Sequence, residues 1–466
     1  MQFDSYIYAL FLPIVFILYW ALRKHLKWQN FMLLVASYIF YGWWDWRFLG
    51  LIALTSASTF LTGLAIKPGH SKQSKTWVAL NIFFNIGILA TFKYFNFFRD
   101  SLADVLRLLG VNPDMPTLYI ILPVGISFYT LQAISYTLDL YRGKVEHTRD
   151  IVAFFVYIAF FPQLVAGPIE RAGNLLPQFL KEKHFDYHNA VIGMRQILWG
   201  LVKKIVIADN LAGYIDNIFY NPLQVAPTSL IMATLIFAIQ IYADFSGYSD
   251  IAIGSARLMN IRLLPNFRFP FFSRSIKELW QRWHISLMTW FREYLYFPLG
   301  GSRCSKWRQC LNIIIVFTIS GLWHGAKWNY VLWGMLSGLL LLPYVFLPKK
   351  KAATSHATWK DLHKCLLTFF IFSVSLFIFR SPNLSHLNEC LTVLFTGNYL
   401  TIPMGISALY YIVPFMIVEW IGRKQEFPIM NLPKPAIVRW AIYWGLLLII
   451  AFYGASANIQ YIYFQF

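Results

Sequence analysis

The residues best suited to chemistry are His324, in Gly321-Leu322-Trp323-His324-Gly325-Ala326, and His284, in Arg282-Trp283-His284. Leu311 to Ser320 is almost wholly apolar, and His324 lies just beyond that run. Counted from Leu311 it is about 13 residues in, or about 20 Å at the rise of an α-helix. In a hydrocarbon core about 30 Å thick the imidazole would be deep in the membrane. An ionisable group at that depth is costly and marks a functional site. A neutral histidine in water-poor surroundings suits general-base work, taking a proton from a hydroxyl as its oxygen attacks a carbonyl. Backbone N–H groups, or the indoles of Trp323 and Trp328, could assist the resulting oxyanion. The plainer alternative is a histidine hydrogen-bonded between helices. It weighs more for His284, where Glu278, Gln281 and Arg282 make a wetter setting.

Between Arg262 and Cys310 the chain is basic and aromatic. Arg268, Arg274, Lys277, Arg282, Arg292, Arg303, Lys306 and Arg308 could hold anionic groups of a substrate, or equally anionic lipid head groups. Soluble-enzyme signatures are missing: there is no GxSxG elbow, P-loop or dinucleotide fingerprint. His184 and His188 stand four apart with Asp186 between them, but beside Lys181, Glu182 and Lys183 they read as a solvated helix end. No metal is expected there.

The elements that must position these groups are membrane helices. The chain has 466 residues, 58% hydrophobic and only 13% charged, about half the charge of an average soluble domain. The net charge of +19 falls in short loops between apolar runs, which points to cytoplasmic loops and lipid head groups rather than nucleic acid. Tyr6 to Leu22 has Asp4 before it and Arg23, Lys24 and Lys27 after it, so it is expected to be retained, with its N-terminus outside. Phe31–Tyr41, Phe48–Ile66, Trp77–Phe95 and Leu118–Leu140 then alternate across the membrane. In the middle, Ile151–Ala166 is short enough to be re-entrant, Val191–Ala208 holds Arg195, Lys203 and Lys204, and Ser229–Ala256 includes Asp244 and Asp250. Two of these three are expected to cross. Beyond Cys310, Leu311–Ala326, Tyr330–Phe346, Cys365–Phe379, Ile402–Ile421 and Trp440–Ala455 complete the alternation, leaving both termini outside. No repeat or linker is evident, so residues 1–466 are expected to form one transmembrane domain. Cys304, Cys310, Cys365 and Cys390 form no CxxC pair and read as free thiols.

Three strings occur in a telling order: Tyr242-Ala243-Asp244-Phe245-Ser246-Gly247-Tyr248-Ser249-Asp250, Glu278-Leu279-Trp280-Gln281-Arg282-Trp283-His284-Ile285-Ser286-Leu287, and Leu322-Trp323-His324-Gly325-Ala326. Together they resemble the membrane-bound O-acyltransferase (MBOAT) family. Phe161-Pro162-Gln163-Leu164-Val165-Ala166-Gly167-Pro168-Ile169 and the tail Ile462-Tyr463-Phe464-Gln465-Phe466 resemble its bacterial alginate O-acetyltransferase branch. The resemblance implies an all-α polytopic fold of about 11–13 transmembrane helices, with re-entrant or interfacial pieces around a tunnel. It makes His324 the catalytic histidine and His284 the second characteristic polar residue, a position held by Asn in many eukaryotic members. Arg282, Trp283, Asp244, Ser246, Trp323 and Asn329 are the candidate substrate-binding residues. The implied donor substrate is acetyl-CoA, with no bound cofactor and no metal. The implied acceptor is an exported polysaccharide, reached through a periplasmic SGNH-type partner, and the implied location is the bacterial inner membrane.

Two alternatives stand beside acetyl transfer. One keeps the enzyme and changes the cargo to D-alanine for a cell-envelope polymer. The other is a proton-coupled transporter using the intramembrane histidine as a relay, although no internal hydropathy repeat supports it. The uncharged end Tyr461 to Phe466 reads either as an interfacial aromatic anchor or as an element that docks the periplasmic partner.

Overall fold

Backbone polar groups in lipid must be satisfied within their own segment, which turns long apolar runs into helices. A computed structural model describes residues 1–67, 71–118, 121–165, 167–348, 356–454 and 461, and every regular element among them is helical. These residues divide into two compact units, one of residues 1–190 and 255–264, the other of 191–254 and 265–466.

In chain order the α-helices are α1 (Tyr6–Ala21), α2 (Leu26–Gly42), α3 (Leu49–Ala65), α4 (Lys72–Leu89), α5 (Phe95–Leu108), α6 (Ile126–Tyr141) and α7 (Ile151–Ala159). They continue as α8 (Phe161–Leu164), α9 (Ala172–Phe179), α10 (Tyr187–Leu201), α11 (Asp209–Tyr220), α12 (Pro227–Leu258), α13 (Ile276–Arg282) and α14 (Ile285–Phe291). The last seven are α15 (Lys306–His324), α16 (Trp328–Leu339), α17 (Pro343–Phe346), α18 (Leu362–Arg380), α19 (Leu384–Thr396), α20 (Leu409–Gly422) and α21 (Ala436–Tyr453). Among the described residues, six helical stretches are long and apolar enough to cross a membrane: Trp46–Ala65, Lys72–Leu108, Pro227–Leu258, Trp328–Phe346, Trp359–Arg380 and Ala436–Tyr453. Shorter apolar helices cover Tyr6–Ala21, Ile151–Leu164 and Ile406–Gly422. The all-α polytopic fold class expected from the sequence is therefore observed.

The first unit is built around α6, which is buried along nearly its whole length and packs on α3 and α4. Within the apolar run expected over Leu118–Leu140, α6 begins at Ile126. Pro123 precedes the start, and Gly125 takes φ +75°, a left-handed conformation that suits a residue without Cβ. A Cβ there would lie 2.6 Å from the Leu164 carbonyl oxygen. Ile151–Ala166 does break, at Phe160, with Pro162 in the first turn of α8, where a missing N–H costs nothing. Gln163 is buried and donates to the Tyr157 carbonyl (2.8 Å) and to Gln132 Oε1 (3.0 Å). In this unit the Phe161–Leu164 string thus builds a turn. The last turn of α12 also belongs here, held to α1 by Tyr8–Ser255 (2.7 Å) and by Trp20 Nε1 donating to the Leu258 carbonyl (3.1 Å).

In the second unit α15 packs along α16, and α16 on α18. The outward run expected from Leu311 is one continuous helix, begun at Lys306 by the Ser305 cap and ended at His324. The charged run Val191–Ala208 is helical too, but widens to a π-helix over Val202–Ala208. Such local widenings concentrate at strained or functional places.

Candidate functional site

His324 sits at the C-terminal end of α15, where the chain turns back into α16. Two glycines let that turn close. A Cβ on Gly321 would collide with the Tyr330 carbonyl oxygen, and one on Gly325 with the Tyr330 ring. The helices can therefore approach to backbone contact, and the His324 imidazole is carried into the interior at 6% exposure. Rings surround it: Trp323 at 5.0 Å between centroids, Trp333 at 5.3 Å and Phe379 at 5.7 Å, all close to perpendicular.

His284 arrives from the other side, in the tight link between α13 and α14. Ser275 caps α13 through the Glu278 N–H, and after Arg282 the backbone leaves the helix. His284 then takes φ 43°, ψ 52°, a left-handed conformation that non-glycine residues seldom adopt. Its ring is 1% exposed and faces Phe245 of α12 edge-on at 4.7 Å. Burial holds this imidazole well below its ordinary pKa, and therefore neutral. The two imidazole centroids are 6.4 Å apart at 69°, beyond a direct hydrogen bond even with two ring nitrogens turned inward. Trp323 contacts both rings, at 5.0 Å from His324 and 6.0 Å from His284. Trp333 Nε1 is buried and has no hydrogen-bond partner among the described residues. It is a donor positioned close to His324.

Residues 143–387 match the membrane-bound O-acyltransferase family, MBOAT. A protein of Pseudomonas aeruginosa named "Probable alginate O-acetylase AlgI" is 38% identical over 391 residues, 82% of this chain and 73% of that protein. The "Peptidoglycan O-acetyltransferase" of Helicobacter pylori is 34% identical over 411 residues, 80% of this chain and 76% of that one. The chain belongs to the membrane-bound O-acyltransferase family. It is a membrane-bound acyltransferase, and this sets it apart from the transporter reading. A more distant relative, the "Teichoic acid D-alanyltransferase" of Bacillus subtilis, is 27% identical over 294 residues, 59% of this chain and 73% of that one.

Within this acyltransferase the candidate residues have distinct surroundings. The rings of His324, His284 and Trp323 lie within 5.0–6.4 Å of one another. Asp244 and Ser246 flank Phe245 on α12 and are buried. Asp244 accepts an ion pair from Lys204 at 3.1 Å. Trp283 is packed among Phe372 (4.9 Å) and Phe267 (5.2 Å). Arg282 and Arg274 both pair with Glu278, at 2.6 and 3.0 Å. Asn329 donates to the Ser381 carbonyl at 2.5 Å, tying α16 to the end of α18, while its Oδ1 is buried without a partner among the described residues. Arg268, Lys277, Arg292, Arg303, Lys306 and Arg308 are exposed. His184 and His188 are exposed too, and among the described residues no cluster of three metal-binding side chains occurs.

Sequence reasoning missed Phe245, Trp333 and Phe379 as pocket walls, and it missed a buried ion-pair cluster. Lys203 pairs with Asp250 (3.0 Å) and Glu419 (3.5 Å), and Glu419 also accepts from Tyr242 (2.7 Å) and Trp199 (3.2 Å). Lys204 pairs with Asp209 at 2.6 Å as well as with Asp244. The signal was present: two lysines in one apolar run and two aspartates in another must find each other when both runs are buried. Glu419, alone in Ile402–Ile421, completes the set. Tyr461 is fully buried, stacked on Tyr248 at 4.2 Å. Residues 462–466 of the expected anchor or docking tail lie outside the described residues.

Proposed function

We propose that this acyltransferase moves acetyl groups from acetyl-CoA, presented at the exposed basic segment, to an exported polysaccharide, with His324 as general base. The observation that carries the reading is the pair of buried imidazoles 6.4 Å apart, walled by aromatic rings. The names of its alginate and peptidoglycan O-acetylating relatives support an acetyl cargo and a polysaccharide acceptor. An acceptor hydroxyl lying between the rings gives its proton to His324 while its oxygen attacks the thioester carbonyl. The C–O bond forms, the C–S bond breaks, and the CoA sulfur leaves to be protonated. His284 is kept neutral by burial and can hydrogen-bond the reacting oxygen without adding charge. The indoles of Trp323 and Trp333 both lie against His324 and are the candidates to support the oxyanion. The polymer is reached through a periplasmic SGNH-type partner in the inner membrane of a bacterium, with both chain termini on the periplasmic side of a ring of helices. The test is thiol release from acetyl-CoA by the purified chain together with polymer acetylation in cells. Wild-type thiol release and its loss in His324→Ala support the reading. Release from a D-alanyl donor but not from acetyl-CoA would move it to D-alanine transfer.

A further inference from the structure

We propose that Asn266 is a positioning residue for acyl transfer, holding the His284 turn in its left-handed conformation without touching the ring. The inference rests on the role assigned to His284 above. A histidine at φ 43° is held there only when its surroundings over-determine it. Two backbone bonds bracket the turn: the Ile285 N–H donates to the Asn266 carbonyl at 2.8 Å, and the Arg268 N–H to the Arg282 carbonyl at 3.0 Å. Segment 266–268 thus runs beside 282–285 and fixes the backbone on both sides of Trp283-His284.

The side chain of Asn266 adds the register. Its amide nitrogen donates to Ser249 Oγ of α12 at 2.9 Å, and its Oδ1 accepts from Ser286 Oγ of α14 at 2.6 Å. All three side chains are buried, Asn266 at 1% exposure. Ser249 lies one helical turn beyond Phe245, whose ring abuts His284 at 4.7 Å, so both project from one face of α12. One helix face therefore sets the position of the His284 ring, through Phe245, and of its backbone, through Ser249 and Asn266. Phe267 closes the arrangement, with its ring 5.0 Å from Phe245 and 5.2 Å from Trp283. A buried amide with this geometry gives His284 one orientation toward His324.

Thiol release from acetyl-CoA by the full chain in detergent separates positioning from packing. Asn266→Leu keeps the branching of the side chain and removes its hydrogen bonds. It is expected to lower kcat roughly 10–100-fold at nearly unchanged KM, the size expected when a reacting group is misplaced by about 1 Å. Asn266→Asp can still accept from both serine hydroxyls and is expected to recover most of that loss. In a His284→Ala background Asn266→Leu should add nothing. Wild-type kcat in Asn266→Leu overturns the proposal. So does better activity with Leu than with Asp, or a loss that multiplies with that of His284→Ala. If Asn266→Leu does not fold, Ser286→Ala takes its place, with a roughly three- to tenfold loss of kcat expected from one hydrogen bond. Wild-type turnover in His284→Ala would overturn the role of His284 itself, and the proposal with it. That result is distinct from a failure confined to Asn266.

Discussion

The ion-pair cluster around Lys203 and Lys204 and the pocket around His284 and His324 are both withdrawn from solvent, yet they are built in opposite ways. In the cluster, two ammonium groups meet four carboxylates at 2.6–3.5 Å, with Tyr242 and Trp199 donating to the Glu419 carboxylate and Gln196 to that of Asp250. Each charge is answered by another, and the helices that carry them are fixed together. In the pocket, the neighbours of the imidazoles are ring edges and faces of Trp323, Trp333, Phe245 and Phe379. Among such rings the His284 imidazole is held neutral by burial. Buried polarity is mutually neutralised in the cluster, and in the histidine pair it is enclosed by apolar walls, the arrangement that the proposed chemistry requires.

The comparison breaks most sharply at His324. His324→Ala is expected to reduce turnover by on the order of 10²–10⁴-fold, the range of general-base contributions, as read by thiol release from acetyl-CoA. The next largest effect lies in the cluster and should be on stability. Lys204→Met leaves Asp209 and Asp244 buried without their lysine, and breaking such a pair costs about 3–5 kcal/mol. A large fall in thermal midpoint and in yield of folded protein is the expected readout; an unchanged midpoint would deny the cluster its structural role. A smaller effect is expected at the pocket wall. Phe379 touches His324 at 5.7 Å, Trp333 at 5.0 Å and Tyr330 at 4.8 Å. An aromatic pair contributes about 1 kcal/mol beyond its buried area, so Phe379→Leu should lower kcat several-fold with KM unchanged. The smallest effect concerns the exposed bases. Neutralising Lys277, Arg292 and Arg303 together should raise KM for acetyl-CoA a few-fold at low salt and much less at high salt. If these residues serve lipid head groups alone, KM will not move.

Much of this was legible in the sequence because the signals were local. The run ending at His324 is a helix from Lys306, and six of the eight bases named between Arg268 and Arg308 are exposed, Arg274 and Arg282 being half-buried against Glu278. Tyr6–Ala21, Leu49–Ala65, Leu362–Arg380 and Ala436–Tyr453 lie close to the apolar runs that announced them. Pairings across the chain were not legible. Phe379 and Phe245 become pocket walls only when α18 and α12 are brought to α15 and α14, and their types look like any other core phenylalanine. The left-handed turn at His284 has no glycine to mark it. Leu118–Leu140 read as one span because hydropathy does not register the interruption made by Pro123 and Gly125. The polar helix α19 and the amphipathic α5 carry no long apolar run, so they passed unnoticed.

The most direct test measures two quantities on one variant. His324→Ala is purified in detergent, and its thiol release from acetyl-CoA and its thermal midpoint are compared with those of the wild-type chain. The expected result is turnover lost by on the order of 10²-fold or more with a midpoint shifted by only a few degrees. Retention of half the wild-type turnover would contradict the assignment of His324 as the base. A collapse of the midpoint would instead make it a residue of the fold, like those of the lysine cluster.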